Sequence, residues 1–298
     1  MSIQIKYTIL QALHCTMLSA CNSYLGYYLL EQGFETPTIG IVIAGAGLVS
    51  LLLQPYLGRL ADRNPNIGWK RILLILAIIC GLAALVVIFS PSPAISAIFY
   101  GLEFAMVNCM LAMVNAACFH YNRQGIFVNY GIARAIGSAA FALTSLFLGH
   151  ITLTHGARPV PIMSAATMAI MILCIISLPY TPNENPVSLN EQQGDRKKES
   201  IFTFASKYKA FIIMTLSVLL AFSFHNMLIS YLIHILGDLG GSSADLGKAL
   251  FIAAIFEIPM MLFSNKILRR ISAHRLLAFG AFAYVIRGVM MYFASSVN

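Results

Sequence analysis

The run Ile72-Leu-Leu-Ile-Leu-Ala-Ile-Ile-Cys-Gly-Leu-Ala-Ala-Leu-Val-Val-Ile-Phe89 decides the class of this protein, because it contains no charged residue. A helix crosses the hydrocarbon core of a membrane with about 20 apolar residues, and this run nearly reaches that length. It is apolar on every side, whereas a helix with one face in water carries polar residues on that face. The stretch therefore predicts a membrane-spanning helix, and similar runs occur along the whole chain.

The composition agrees with a membrane protein. Of the 298 residues, 59% are hydrophobic and 10% are charged, whereas an ordinary soluble domain has about 25% charged residues. The mean hydropathy is +0.79, so too few polar residues remain to cover a water-soluble fold, which excludes a soluble enzyme. The formal net charge of +8 does not indicate nucleic-acid binding, because the basic residues lie between apolar runs.

Nine apolar runs are long enough to span a membrane, and charged or Gly-, Pro- and Asn-rich connections separate them. The predicted limits are 8–30, 38–58, 71–90, 94–118, 128–150, 160–180, 209–235, 245–266 and 274–296. One connection, residues 181–208, is long and polar. It predicts an N-terminal six-helix bundle over residues 1–180, a cytoplasmic linker over 181–208 and three further helices over 209–298.

The basic residues predict the orientation of these spans. With a cytoplasmic N-terminus, 15 of the 19 Lys and Arg residues fall in cytoplasmic segments, and two, Arg158 and Lys248, fall outside. An excess of this kind is the positive-inside signal. It predicts a multi-pass protein of the plasma membrane, the bacterial inner membrane, with a cytoplasmic N-terminus. The cytoplasmic set consists of Lys6, Arg59, Arg63, Lys70, Arg71, Arg123, Arg196, Lys197, Lys198, Lys207, Lys209, Lys266, Arg269, Arg270 and Arg275.

The connection after the second predicted span contains Gly58-Arg-Leu-Ala-Asp-Arg63, followed by Lys70-Arg71. A related pattern, Ser264-Asn-Lys-Ile-Leu-Arg-Arg270, follows the eighth span, which indicates two parallel repeats. The first pattern resembles the cytoplasmic motif G-x-L-x-D-R-x-x-x-R-K/R of the major facilitator superfamily. The resemblance implies a gating latch made by Asp62 and nearby guanidinium groups. The alternative is a solvated turn whose arginines only set the topology. The motif residues are Gly58, Asp62, Arg63, Lys70 and Arg71.

Two further stretches narrow the resemblance. Asn129-Tyr-Gly-Ile-Ala-Arg-Ala-Ile-Gly137 resembles the signature D/E-F/Y-G-x-A/V-R-x-x-G that opens the fifth helix of lactose permease and of phenylpropionate-permease-like symporters. Phe256-Glu-Ile-Pro259, together with Arg287, resembles the eighth and ninth helices of the same branch. The resemblance implies an all-α polytopic transmembrane bundle with 6+6 helices. Nine spans make 6+3, so the chain is expected to be truncated relative to that plan.

Ionisable side chains inside predicted spans are costly in lipid, so each needs a partner or a function. Glu257 and Arg287 lie on consecutive spans at depths of roughly 15 and 20 Å, at about 1.5 Å per residue, and are expected to meet. The resemblance favours a role in proton coupling, in which Glu257 gains and loses a proton and Arg287 tunes its proton affinity. The alternative is a static ion pair. Glu103, an extra charge in the fourth span, is assigned either to proton coupling or to helix packing.

Arg134 is the main candidate for binding substrate. It shares a helix face with Phe141, and its planar fork suits a hydroxyl pair or a carboxylate. The resemblance implies that an arginine at this position binds substrate. The alternative is that Arg134 extends to the cytoplasmic surface. The resembling permease has a tryptophan where this chain has Phe141, and the only tryptophan here, Trp69, lies in a predicted loop, which weakens a galactoside assignment.

Three further polar residues complete the predicted substrate site. Asn108 and Asn115 are seven residues apart and so share one face of the fourth span. Hydrogen bonding between helices is the alternative role for both. His225 interrupts the seventh span and is a candidate proton relay or substrate ligand, with a packed histidine as the alternative.

These features predict a secondary active transporter, a proton-coupled symporter of a small polar solute such as a sugar, nucleoside or organic acid, working by alternating access. The alternatives are a non-transporting remnant and a proton-coupled exporter. No catalytic residue is predicted, because the spans contain neither H-E-x-x-H nor G-x-S-x-G. The proton is the expected coupling ion, without metal or organic cofactor. The expected partners are a small-molecule solute and membrane lipid, not nucleic acid, and the expected full-length form is a monomer.

Overall fold

The computed structural model describes residues 2–64, 67–181 and 201–293. The secondary structure is 87% helix, and the described residues contain no strand. Eight helices in these residues are long and apolar enough to cross a membrane. The predicted all-α membrane bundle is therefore confirmed.

Most helices are longer than the apolar runs that predicted them, because their polar ends continue the helix beyond the apolar layer. In chain order they are α1 (Ile3–Met17), a π-helix (Leu18–Ser23), α2 (Leu25–Glu31), α3 (Thr36–Arg63), α4 (Gly68–Phe89), α5 (Pro93–Arg123), α6 (Tyr130–His155), α7 (Pro159–Ser177), α8 (Ile201–Lys207), α9 (Lys209–Asp238), α10 (Ser243–Leu268) and α11 (Ala273–Tyr292).

The first predicted span is not one regular helix. The π-helix at Leu18–Ser23 separates α1 from α2, which completes the run to Glu31. A π-helix changes the backbone hydrogen-bond pattern locally. At this point the Tyr100 hydroxyl of α5 donates to the Ala20 carbonyl over 2.8 Å. The break therefore lies where another helix supplies a hydrogen bond that the local sequence does not reveal.

The first bundle contains most of the buried side chains. α4 packs against α5 and α7, and α1 packs against α6 and α7. The large aromatic residues Tyr7, Tyr24, Tyr100 and Tyr121 are fully buried among these helices. The helices of this bundle are closely packed. One face of α6 is left to contact α10.

The prediction that Trp69 lies in a loop is wrong. α4 begins at Gly68, whose φ of 49° lets the chain turn sharply into the helix. The Trp69 side chain is 4% exposed. Its ring lies edge-on to Tyr121 and Tyr180, at centroid distances of 5.9 and 6.0 Å. Because these contacts bury a large ring, the helix begins before the apolar run does.

The second bundle consists of α9, α10 and α11. α10 packs along α6, which is the most extensive contact between two helices. α11 packs against α9 and has no buried residue. Of the predicted linker 181–208, residues 182–200 lie outside the described residues, so the predicted domain boundaries stay a prediction.

Candidate functional site

A cavity of about 140 Å³ lies between the two bundles. Its wall combines residues of α1, the π-helix and α6 with residues of α9, α10 and α11. The structure thus brings together side chains that are far apart in the sequence. Five of the predicted site residues line this cavity: Arg134, Phe141, His225, Glu257 and Arg287.

α6 positions the polar side of the cavity. Its N-cap is Asn129, whose Oδ1 accepts a hydrogen bond from the Ile132 backbone N–H over 3.1 Å. Arg134, Ser138 and Phe141 follow at helical spacings of four and three, so they share the face that lines the cavity. The cap sets where the helix begins, and thereby the depth of this face.

α10 positions Glu257 on the opposite wall. The helix begins with a capping box, in which Ser242 and Asp245 satisfy backbone and side-chain groups at its N-terminus. Glu257 lies near the middle of the helix and lines the cavity, and its side chain is exposed. Since α10 packs along α6, the two helices bring Glu257 opposite Arg134.

The electrostatics of the cavity join the two bundles. Arg134 Nη1 donates a hydrogen bond to Cys15 Sγ over 3.3 Å. The charge of Glu257 interacts most with Arg134 and second with Arg287. Among the described residues, no ion pair shorter than 4.0 Å joins Glu257 to either arginine. Glu257 and Arg287 therefore line the same cavity without a close ion pair between them in the described structure, and their role in proton coupling stays a prediction.

Aromatic rings also line the cavity. Phe141 lines the first-bundle side, and His225 lines the second-bundle side. The His225 ring lies 5.5 Å from the Tyr284 ring, centroid to centroid, and its buried Nδ1 makes no hydrogen bond to any described residue. The cavity thus offers ring faces as well as charged groups to a ligand.

The other predicted binding and coupling residues do not line this cavity. Asn108 exchanges hydrogen bonds with Asn22, the shorter at 3.2 Å, which is the interhelical role given as its alternative. Asn115 is half-buried on α5, and its Oδ1 has no hydrogen-bond partner among the residues that the structure describes. Glu103 is fully buried in the first bundle, and the Ser164 hydroxyl faces it without meeting hydrogen-bond geometry.

The predicted gating residues lie where α3 ends and α4 begins. Asp62 lines a second cavity of about 230 Å³, whose wall also includes Arg123 and His120. Lys70 Nζ donates to the Ile176 carbonyl over 3.1 Å, which ties the start of α4 to α7. In the part of the chain that the structure describes, Asp62 forms no ion pair within 4.0 Å with the motif's basic residues. The latch stays a prediction for Gly58, Asp62, Arg63, Lys70 and Arg71.

α1 contributes to the site, although no motif in the sequence predicts it. Cys15 lines the cavity and accepts from Arg134. Gln11 and His14, just before it on the same face, are completely buried. A signal was present, because Gln11 and His14 are large polar side chains at helical spacing within a predicted membrane span.

Comparisons with known proteins agree on the type of fold. The profile described as "MFS_1 like family" matches residues 5–297. The maltose permease of Geobacillus stearothermophilus is 27% identical over 263 residues, covering 86% of this chain and 63% of the permease. The uncharacterized transporter YwbF of Bacillus subtilis (strain 168) is 21% identical over 272 residues, covering 91% of this chain and 65% of its own. The chain thus spans less than two thirds of the length of these relatives.

A solved structure is also similar. A crystal structure of the nucleoside transporter NupG superimposes with a TM-score of 0.68 at 19% identity. The similarity covers 90% of this chain and 69% of that one. At this level of identity the likeness shows the fold alone.

Proposed function

The chain belongs to the MFS_1 like family, and on that premise we propose that it is a proton-coupled importer of a small hydroxyl-bearing solute, a sugar or a nucleoside. One observation carries the proposal: Arg134 of the first bundle and Glu257 of the second line the same cavity. A solute bound there touches both bundles. Its binding therefore favours some arrangements of the bundles over others, which is the requirement for alternating access.

The lining of the cavity supports the hydroxyl-bearing class. The Arg134 guanidinium donates in a planar fork, which suits two neighbouring hydroxyl oxygens. Phe141 offers an apolar ring face to the carbon side of a sugar or to a nucleobase, and Ser138 adds a hydroxyl beside it. A relative named as a maltose permease supports the same class. The resemblance of the motifs to lactose permease also fits a hydroxyl-bearing solute.

Glu257 is the proposed proton carrier. As a carboxylate it attracts Arg134, whose charge acts on it most. A proton on Glu257 ends this attraction and leaves the guanidinium N–H groups of Arg134 for the solute. Solute and proton then stabilise one another in the cavity, so they are expected to cross together. By the positive-inside count, uptake runs toward the side that carries the N-terminus.

An organic acid is the second candidate solute. Two guanidinium groups, Arg134 and Arg287, face a single carboxyl group, Glu257, in this cavity. This excess of positive charge favours a ligand that brings a carboxylate of its own. Such a solute would pair with the guanidinium that Glu257 leaves free.

The test is uptake into liposomes that contain the purified full-length protein. An acidic exterior is imposed, and radiolabelled maltose, uridine and an aromatic carboxylate are offered separately. We expect accumulation of the sugar or the nucleoside that stops when a protonophore collapses the gradient. Accumulation of the carboxylate alone would favour the second candidate. Failure to bind or accumulate any hydroxyl-bearing solute would contradict the proposal.

A further inference from the structure

Two polar side chains of α1 lie completely buried behind the cavity. Gln11 and His14 are both 0% exposed. The amide of Gln11 and the two ring nitrogens of His14 form no well-aligned hydrogen bond to another described protein group, although the Cys15 thiol lies beside the Gln11 amide. A buried polar atom without a partner is unfavourable, and lipid offers it none. These four atoms therefore point to a polar ligand inside the bundle.

Gln11 and His14 lie next to Cys15, which contacts the Arg134 guanidinium. Cys15, next to His14 on α1, accepts from Arg134 Nη1 and lines the cavity. Gly137 of α6, one turn beyond Arg134, makes room for this face of α1. A Cβ atom there would lie 2.8 Å from Cys15 Sγ and 3.2 Å from Gln11 Cγ. Gln11 and the cavity-lining Cys15 thus both pack against α6 at Gly137.

The Arg134 guanidinium has N–H donors that the described protein groups do not use. A guanidinium has five N–H donors, and the hydrogen bond recorded for Arg134 goes to a thiol sulfur, which is a weak acceptor. His14 is close enough for the charge of Arg134 to act on it. A neutral imidazole and an amide each provide one acceptor and at least one donor. They therefore match what a water molecule next to a guanidinium requires.

We propose that Gln11 and His14 form a hydrated subsite that holds ordered water against Arg134 and orients its guanidinium toward the solute. Buried water in proteins typically makes about three hydrogen bonds to groups that would otherwise be unsatisfied. Gln11 and His14 are positioning residues in this arrangement, because they act on the solute through water and Arg134. The effect on the solute rests on the proposed function, whereas the presence of water does not.

The first experiment tests for the water itself, without any solute. Radiolytic hydroxyl footprinting of the purified full-length protein oxidises side chains that contact ordered water. We expect His14 to be oxidised in spite of its burial, and the oxidation to fall severalfold in Gln11→Met. Tyr100, which is equally buried but hydrogen-bonded to a carbonyl, is the internal control and should stay protected. Absence of His14 oxidation would overturn the subsite, whether or not the protein transports.

The second experiment tests positioning. Gln11→Met and His14→Leu remove the polar atoms, His14→Gln keeps a donor and an acceptor, and Ser23→Ala removes another buried unpartnered hydroxyl outside the cavity wall. We expect solute affinity to fall about tenfold in the first two variants and to be largely retained in the last two. The losses should be non-additive with Arg134→Lys, because the residues act through one guanidinium. Apolar variants that bind solute like the wild type and unfold at a higher temperature would overturn the proposal.

Discussion

Gly149 of α6 and Gly247 of α10 bring the backbones of the two bundles into contact, because a Cβ atom on Gly149 would lie 2.8 Å from the Cα atom of Gly247. Small residues allow such close approach of membrane helices. At the same crossing, the Tyr24 hydroxyl donates to the Ser145 carbonyl over 2.6 Å. The crossing fixes how near α6 and α10 lie, and therefore how near the cavity residues on those helices come to one another.

The crossing predicts opposite effects of two glycine substitutions. In Gly149→Ala the new methyl group would meet backbone atoms at 2.7 and 2.8 Å, so the helices must shift. We expect the free energy of unfolding in detergent to fall by about 1–3 kcal/mol. Gly45→Ala on α3 is the matched control, because a Cβ there meets nothing within 4 Å and should stabilise by about 0.5–1 kcal/mol. Equal shifts in both variants would show that the crossing is not tight.

Glu257→Gln separates binding from coupling. The amide resembles the protonated carboxyl and carries no charge that can change, so the variant should still exchange bound solute across the membrane. Uphill uptake driven by a pH gradient should disappear. Counterflow and gradient-driven uptake are measured in the same liposomes, with Glu35→Gln, at the N-cap of α3, as the control. Retained accumulation in Glu257→Gln would assign the proton to another group.

Arg134→Lys keeps the charge in the cavity and removes the planar fork. A solute held by two parallel hydrogen bonds should bind at least tenfold more weakly, which corresponds to about 1.4 kcal/mol. The dissociation constant is measured by calorimetry on purified protein. Arg158→Lys, at the start of α7, is the control and should bind as the wild type does. Unchanged affinity in Arg134→Lys would contradict bidentate recognition.

The N-cap of α6 predicts a selective effect on stability. Asn129→Ala removes the Oδ1 that accepts from the Ile132 backbone N–H, which should lower the free energy of unfolding by about 1 kcal/mol. Asn129→Asp keeps an oxygen acceptor at the same place and should retain the stability. Denaturant titration in detergent measures both. If the aspartate variant loses as much as the alanine variant, the cap is not the source of the effect.

The lipid environment, the all-helical class of fold and the residues that share one helix face could all be predicted from the order of residues alone. Runs such as Ile72–Phe89 have no soluble alternative, because bilayer thickness and backbone hydrogen bonding require a helix of that length. Helical periodicity likewise put Arg134 and Phe141 on one face of α6. These properties depend on neighbours along the chain, so the order of residues is enough to predict them.

Which helix faces meet depends on the packing of the whole chain. No motif or spacing indicates that Arg134 lies close enough for its charge to act on Glu257, because that depends on the crossing of α6 and α10. The π-helix after α1 depends in the same way on contacts with other helices, as does the burial of Trp69. Periodicity fixes the depth of a side chain and its direction around its own helix. The rotation and spacing of helices come from side-chain packing between distant segments, which no local pattern contains.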